Sequence, residues 1–104
     1  GWLAGSPWCG DGMQRKERPL TMAICNRFGD EVTIIANCGE HQPEKFVAPM
    51  TLVKVRYEEG DERYVFAEFL KAGGGWKEIE TALENAPSVK LNTVVLRLAF
   101  HQAA

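Results

Sequence analysis

The chain has 104 residues, of which 45% are hydrophobic and 25% are charged, and its formal net charge is -2. A chain of this length and apolar content forms one domain with a modest core, which excludes disorder over most of its length. The slightly acidic balance disfavours a duplex-DNA binder, and the apolar runs are far shorter than the roughly 20 residues of a membrane span, so we expect a soluble protein.

Residues 1–18 are predicted to form an N-terminal arm ahead of the folded domain. The arm begins without the basic residues and the long apolar stretch of a signal peptide. Met13 is a second candidate start, which leaves open whether residues 1–12 are native to the protein. Trp2 and Trp8 lie in the arm, and we expect their rings to be buried against the domain or a neighbouring chain.

Cys9, Cys25 and Cys38 are odd in number and lie far apart, unlike the cysteines of a secreted disulfide scaffold. We therefore expect a reducing, cytoplasmic setting. With His41 they would supply four zinc ligands, but structural zinc sites present ligands in close pairs, and only Cys38 and His41 are spaced that way. Because free cysteines are commonly buried, core thiols are the better interpretation, and neither a metal nor another cofactor is predicted.

Two strands are predicted to open the domain. Apolar residues alternate over residues 20–25 and again over residues 32–38, and the intervening residues 26–30 have the composition of a turn. Together these segments predict a β-hairpin with a short loop. The second strand is expected to place Val32, Ile34, Ala36 and Cys38 on one face.

Residues 39–49 are predicted to be the longest loop, with Phe46 and Val47 anchoring it to the core. This loop carries one functional alternative, a minor enzyme with a thiol–imidazole pair. The pair would join Cys38 or Cys25 to His41 or His101. Such a thiolate requires a nearby cation or helix N-terminus, and no cysteine is close in sequence to the predicted helix.

A second hairpin is predicted from residues 51–57 and 63–70. If Gly60 and Asp61 are the central pair of a type II′ turn, apolar side chains match across the two strands. The predicted partners are Tyr57 with Tyr64, Val55 with Phe66, and Leu52 with Phe69.

A helix is predicted after the glycines at 73–75, because apolar residues there follow a 3.6-residue period and Pro87 ends the pattern. Its apolar stripe consists of Trp76, Ile79, Leu83 and Ala86. A last strand is predicted over residues 91–101. Its buried side is expected to carry Val94, Leu96, Leu98 and Phe100.

Residues 19–104 are thus predicted to form a single α+β domain, with a mainly antiparallel sheet of about five strands in the order β-β-β-β-α-β and one helix packed on it. The segment Phe28-Gly29-Asp30-Glu31-Val32 resembles the Gly-Asp-x-Val entry of many SH3-like barrels. That resemblance implies the alternative fold, an SH3-like small barrel with an inserted helix.

The aromatic residues are the candidate binding residues. Trp2, Trp8, Tyr57, Tyr64 and Trp76 are many amphipathic rings for a small domain, and exposed Trp and Tyr are enriched at binding surfaces. We predict a small binding or interaction module without catalysis that self-associates, with the arm docked on a groove of the domain or of a second protomer. An origin in a mobile, environmental gene such as an integron cassette is a further hypothesis.

Two weaker possibilities involve charge. Backbone amides at Gly74 and Gly75 would hold an anion, since helix N-termini attract negative charge, although the lysine and hydroxyl of a P-loop are missing. A small barrel that binds nucleic acid or a peptide would need its basic residues on one face, and nucleic acid is disfavoured by the net charge. These basic residues are Arg15, Arg18, Lys54, Arg56 and Arg97.

Overall fold

The structure, a computed structural model, describes residues 23–103. The predictions made for the N-terminal arm therefore lie outside the described residues. The described elements are β1 (Ile24–Cys25), β2 (Glu31–His41), β3 (Met50–Tyr57), β4 (Glu62–Phe66), a one-turn 3-10 helix (Ala67–Phe69), β5 (Lys71–Ala72), α1 (Trp76–Asn85) and α2 (Thr93–Ala103).

The five strands form one antiparallel sheet in the order β4-β3-β2-β1-β5. The predicted α+β class and the antiparallel sheet are confirmed. The fifth strand, however, precedes α1, and the predicted last strand is instead the second helix. Both α-helices follow the sheet along the chain, so neither is inserted between its strands.

Residues 91–101 form a helix because a 3.6-residue period fits them as well as a two-residue period does. Leu96, Ala99, Phe100 and Ala103 make one stripe at i, i+3, i+4 and i+7, and all four belong to the core on that side of the sheet. Asn92 begins the helix, since its Oδ1 accepts the N–H of Val95 at 2.9 Å. The small Ala99 and Ala103 are buried, which lets α2 approach the sheet closely.

Each hairpin has a tight turn that is followed by a glycine with a positive φ angle. In the first hairpin Gly29 has φ +91°, and in the second Gly60 has φ +100°. The N–H of Gly60 donates to the carbonyl of Tyr57 at 2.9 Å, so the turn is centred on Glu58-Glu59 rather than on Gly60-Asp61. A type I turn with a left-handed glycine is a standard hairpin loop, and the glycine supplies the conformation at little cost.

The register predicted for the second hairpin is wrong as a consequence. Moving the turn towards the N-terminus pairs Leu52 with Phe66 and Lys54 with Tyr64. The shift is an odd number of residues, so it also changes which side chains share a face. Leu52, Phe66 and Tyr64 contact α2, whereas Val53, Val55 and Val65 lie on the other face.

A β-bulge in β2 reverses which face of the sheet its alternate side chains occupy. Ile34 pairs with Val55, but Ala36 pairs with Lys54, so Ile35 is an extra residue. Val32 and Ile34 therefore belong to the core that contacts α1, while Cys38 belongs to the core beneath α2. The predicted single apolar face of β2 is corrected accordingly.

The sheet is curled. Its two edges, β4 and β5, are separated by four strand spacings, about 19 Å across a flat sheet. Only four residues, the 3-10 helix and Leu70, join them. The five Cα–Cα steps from Phe66 to Lys71 span at most about 18 Å when fully extended, and a 3-10 helix is shorter than an extended chain. The edges must therefore approach each other on the face that contains Ala67 and Leu70, which is the face contacted by α1.

Because of the curl, the sheet resembles the small barrel of the alternative fold. It is not a closed barrel, because β4 and β5 do not pair with each other. The edge at β4 is protected by side chains instead. Gln102 of α2 accepts the N–H of Tyr64 through Oε1 at 2.9 Å. Where β3 extends beyond the end of β4, Glu68 accepts the N–H of Thr51 at 3.0 Å. Capped edge amides discourage pairing with another chain by strand addition.

The predicted helix α1 is confirmed. Ile79 is fully buried, while Ala82 and Leu83 pack against the same core. Trp76, predicted to lie in this stripe, is 42% exposed because it occupies the first helical position, beside the N-cap residue Gly75.

Candidate functional site

A groove of about 520 Å3 lies between α2 and the loop that joins β2 to β3. The loop, residues 42–49, forms one wall, and the side of α2 that carries Phe100 and His101 forms the other. Met50 and Phe66 of the sheet also line it. Its volume is within the range of small-ligand sites in proteins, and we call it the α2 groove.

Aromatic rings dominate the lining of the α2 groove. Phe66 lies 6.1 Å from Phe69 in an edge-on arrangement and 6.1 Å from Phe100, measured between ring centroids. The imidazole of His41 lies edge-on to Phe100 at 6.0 Å. These separations are those of favourable aromatic pairs, so the rings support each other and present a stiff apolar surface.

Two cationic or potentially cationic side chains of α2 border this apolar surface. Arg97 and His101 line the α2 groove and also the outer side of the helix. Within residues 23–103 the guanidinium of Arg97 makes neither an ion pair nor a hydrogen bond. Glu44 lies on the opposite, loop side of the groove. The groove thus combines an apolar interior with charge at its margin.

The outer side of α2 exposes apolar side chains. Val94 is 71% exposed and Leu98 is 62% exposed, and they lie one turn apart on the same face. The prediction that both are buried is wrong, because a helix turns them away from the sheet, whereas a strand would have kept them beside Leu96 and Phe100. We call Val94 and Leu98 together the α2 surface.

Phe46 in the loop is both exposed and strained. Its side chain is 100% exposed and its φ is +66°, in the left-handed region where a bulky side chain is an outlier. The predicted anchoring of the loop by Phe46 and Val47 is therefore wrong. The loop closes on itself instead, since Gln42 donates from Nε2 to the carbonyl of Val47 at 2.9 Å. Strained residues that persist in a fold are concentrated at functional sites.

The thiol–imidazole pair of the enzyme alternative has an unfavourable geometry. The ring Nε2 of His41 lies 2.9 Å from the backbone carbonyl of Cys38, a contact in which the ring nitrogen donates. Burial raises the pKa of the Cys38 thiol, and nearby Lys54 opposes that rise only in part. The thiol therefore stays protonated at neutral pH and is a poor nucleophile. Cys25 and Cys38 are both free thiols.

Of the predicted aromatic binding residues, Tyr57 and Tyr64 line a common small pocket, although each packs against a different core. Tyr57 packs against the core on the α1 side of the sheet, and Tyr64 packs beneath α2 on the opposite face. Lys54 lies 5.5 Å from the ring centroid of Tyr64. Trp76 lies at the start of α1, while Trp2 and Trp8 lie outside the described residues.

The amides proposed to bind an anion are already used. The N–H of Gly74 donates to Oε1 of Glu78 at 3.0 Å, and the N–H of Gly75 donates to the carbonyl of Ala72 at 3.0 Å. The carboxylate of Glu78 thus occupies the place where an external anion would bind. An anion would have to displace it.

The basic residues named for the nucleic-acid alternative are partly neutralised. Lys54 and Arg56 both contact Glu62, at 3.4 Å and 2.7 Å respectively, so one carboxylate is shared between them. Arg97 is on α2 beside the groove, and Arg15 and Arg18 lie outside the described residues. Of this set, Arg97 is therefore the one described residue whose charge is left free for a phosphate.

The groove, the exposed Phe46 and the α2 surface were not predicted from the sequence, although the sequence contains two signals for them. Phe46 is a large apolar residue in a loop bounded by prolines, where solvent exposure is the rule. The pair Asn92-Thr93 is a helix start signal that opposes the strand assignment. Reading that signal would have placed Val94 and Leu98 on the outer face.

Comparisons with known proteins add no relative: no protein-family model matches the chain, and neither a curated protein nor a solved structure matches it. Within residues 23–103, no three metal-ligating side chains converge on a common point. No described helix combines the length and apolar character that crossing a membrane requires.

Proposed function

We propose that the protein is a small interaction module that self-associates through the α2 surface. The observation that carries this proposal is the exposure of Val94 and Leu98, which are 71% and 62% exposed on consecutive turns of α2. Single exposed apolar residues are common, but two large ones on one face of a helix offer a contact surface.

A second copy of the chain fits this surface because Val94 and Leu98 lie one turn apart on the same face of α2. In a two-fold contact the same patch of both copies meets, so each residue of the surface lies against a residue of that surface on the other copy. Antiparallel packing of the two α2 helices then places Val94 against Leu98.

Strand addition is a poorer route to association. Gln102 engages the amide of Tyr64 at the β4 edge, Glu68 engages the amide of Thr51 near the start of β3, and β5 has only two residues. A partner chain would therefore find few free backbone donors along these edges. The helix face is the better candidate for the contact.

The test is the molar mass in solution, measured by light scattering over a range of concentrations. We expect the wild-type chain to dimerise and the double variant Val94→Glu/Leu98→Glu to remain monomeric. Val89→Glu is the matched control, because Val89 is 41% exposed and lies outside α2. Circular dichroism shows whether each variant folds.

Two further results decide between routes of association. A chain that lacks residues 1–12 should still dimerise if the α2 surface is responsible, whereas loss of the dimer would assign association to the arm with Trp2 and Trp8. A wild-type chain that stays monomeric at every concentration contradicts the proposal, as does a control variant that dissociates like the double variant.

A further inference from the structure

We infer that the α2 groove is a binding site for a small aromatic carboxylate. The inference goes beyond the proposed function, because it concerns the inner side of α2 and the residues of the sheet beneath it. It depends on three properties of the groove: its volume, its aromatic lining and the unpaired cation at its margin.

The volume and lining of the α2 groove indicate which apolar group the ligand would carry. A space of about 520 Å3 holds one molecule with one or two fused rings, with room for part of its hydration. Phe66, Phe69 and Phe100 line it, and their ring planes differ, with interplanar angles of 78° and 31° to Phe66. A flat ring can therefore contact one phenyl face while meeting the edge of another.

The charged side chains at the margin of the α2 groove indicate which charged group the ligand would carry. Arg97 has no anionic partner within residues 23–103, and a guanidinium beside apolar side chains binds a carboxylate more strongly than one in open water does. His101 adds a second nitrogen-bearing side chain on the same helix. Glu44, across the groove, repels a second negative charge, so a monocarboxylate fits better than a dicarboxylate.

A second groove of similar volume provides a contrast. It lies between α1 and β2, and its arginine is Arg56. The guanidinium of Arg56 donates to Oε2 of Glu62 from both Nε and Nη2, at 3.0 Å and 2.7 Å. That arginine is therefore engaged, and the α2 groove alone among these two combines apolar walls with an arginine left unpaired by the described residues.

The experiment is a titration of the isotope-labelled protein with benzoate, followed by NMR chemical shifts. We expect saturable shifts centred on Met50, Phe69 and Phe100. Arg97→Gln should weaken benzoate binding about tenfold, since it removes a charge-assisted contact. Arg63→Gln, an exposed arginine of β4, is the matched control and should bind as the wild type does. Benzyl alcohol, which keeps the ring without the charge, should bind wild-type protein about as weakly as benzoate binds Arg97→Gln.

Three results would overturn the inference: no saturable shift with benzoate, saturable shifts elsewhere in the protein, or equal affinity in Arg97→Gln and wild type. The same titration on Val94→Ser/Leu98→Ser, which removes the exposed apolar side chains without adding a carboxylate beside Arg97, separates it from the proposed function. Binding that persists in that variant supports the groove independently of self-association, whereas loss of binding there would show that the ligand is held between two copies and contradict a site within one chain.

Discussion

Asn26 donates a hydrogen bond from Nδ2 to Oη of Tyr57 at 3.0 Å, and this bond joins the turns of both hairpins at one end of the sheet. Asn26 begins the β1–β2 turn, and Tyr57 begins the β3–β4 turn. The Oδ1 of Asn26 accepts the N–H groups of Phe28 and Asp30, each at 2.9 Å. Asn26 is buried, yet its side chain satisfies both its donor and its acceptor capacity.

Asn26→Ala should lower the free energy of unfolding by about 2–3 kcal/mol, because two backbone donors lose their acceptor and Tyr57 loses its donor. Tyr57→Phe removes only the link between the turns and should cost about 1 kcal/mol. Urea denaturation of both single variants and the double variant measures the coupling. Strictly additive losses would show that the two turns are not energetically linked.

Phe46→Gly should raise the free energy of unfolding by roughly 0.5–1 kcal/mol. The left-handed conformation costs a non-glycine residue about 1–2 kcal/mol, and the added entropy of glycine in the unfolded chain offsets part of that gain. Phe46→Ala is the matched variant, since it removes the exposed ring but keeps the strained backbone, and it should leave stability nearly unchanged. Equal stability of the two variants, measured by thermal and urea unfolding, would argue against strain at this position.

Ala99→Leu should destabilise the fold by about 1–3 kcal/mol, because the larger side chain is forced between α2 and the sheet at a fully buried position. Leu98→Ala, the neighbouring change, should alter stability by less than about 0.5 kcal/mol at a concentration where the chain is monomeric. If residues 91–101 instead form a strand with Leu98 buried, Leu98→Ala should be the more destabilising of the two variants. Chemical denaturation of both variants therefore decides whether these residues form a helix or a strand.

Glu62→Gln should change how stability depends on pH. The hydrogen bond from Arg56 above all lowers the pKa of the Glu62 carboxyl; desolvation opposes this, and the hydrogen bond from Lys54 adds to the lowering. A carboxyl with a lowered pKa in the folded state contributes stability that is present above its unfolded pKa, about 4.3, and is lost as pH falls through the folded value. The difference in urea midpoint between wild type and variant should therefore be present at neutral pH and shrink in acid.

Glu80→Gln is the control for that comparison, because Glu80 is an exposed carboxylate of α1 without an ion pair to any residue the structure describes. Its difference from wild type should stay small at every pH. A Glu62→Gln variant whose difference from wild type is the same in acid as at neutral pH would contradict the assigned role of Arg56 and Lys54.

Local chemistry in the sequence determined the parts of the fold that depend on neighbouring residues. The turn at residues 26–30, the helix after Gly75 and the alternating apolar residues of β2 and β3 all follow from propensity and spacing. These signals suffice for the α+β class and the antiparallel sheet. They also place Ile79 in the core, because its position in the helical period is unambiguous.

Tertiary contacts decided between alternative structures that fit these local sequence patterns equally well. The extra residue Ile35 cannot be recognised before β2 has partners on both faces, and it sends Ile34 and Cys38 to opposite cores. Residues 93–103 satisfy both a strand and a helix period, and the choice came from burying Ala99 against the sheet, which a helix achieves and which exposes Leu98. The α2 groove and the α2 surface exist only because of that choice, since helix packing, unlike local propensity, depends on residues far apart in the chain.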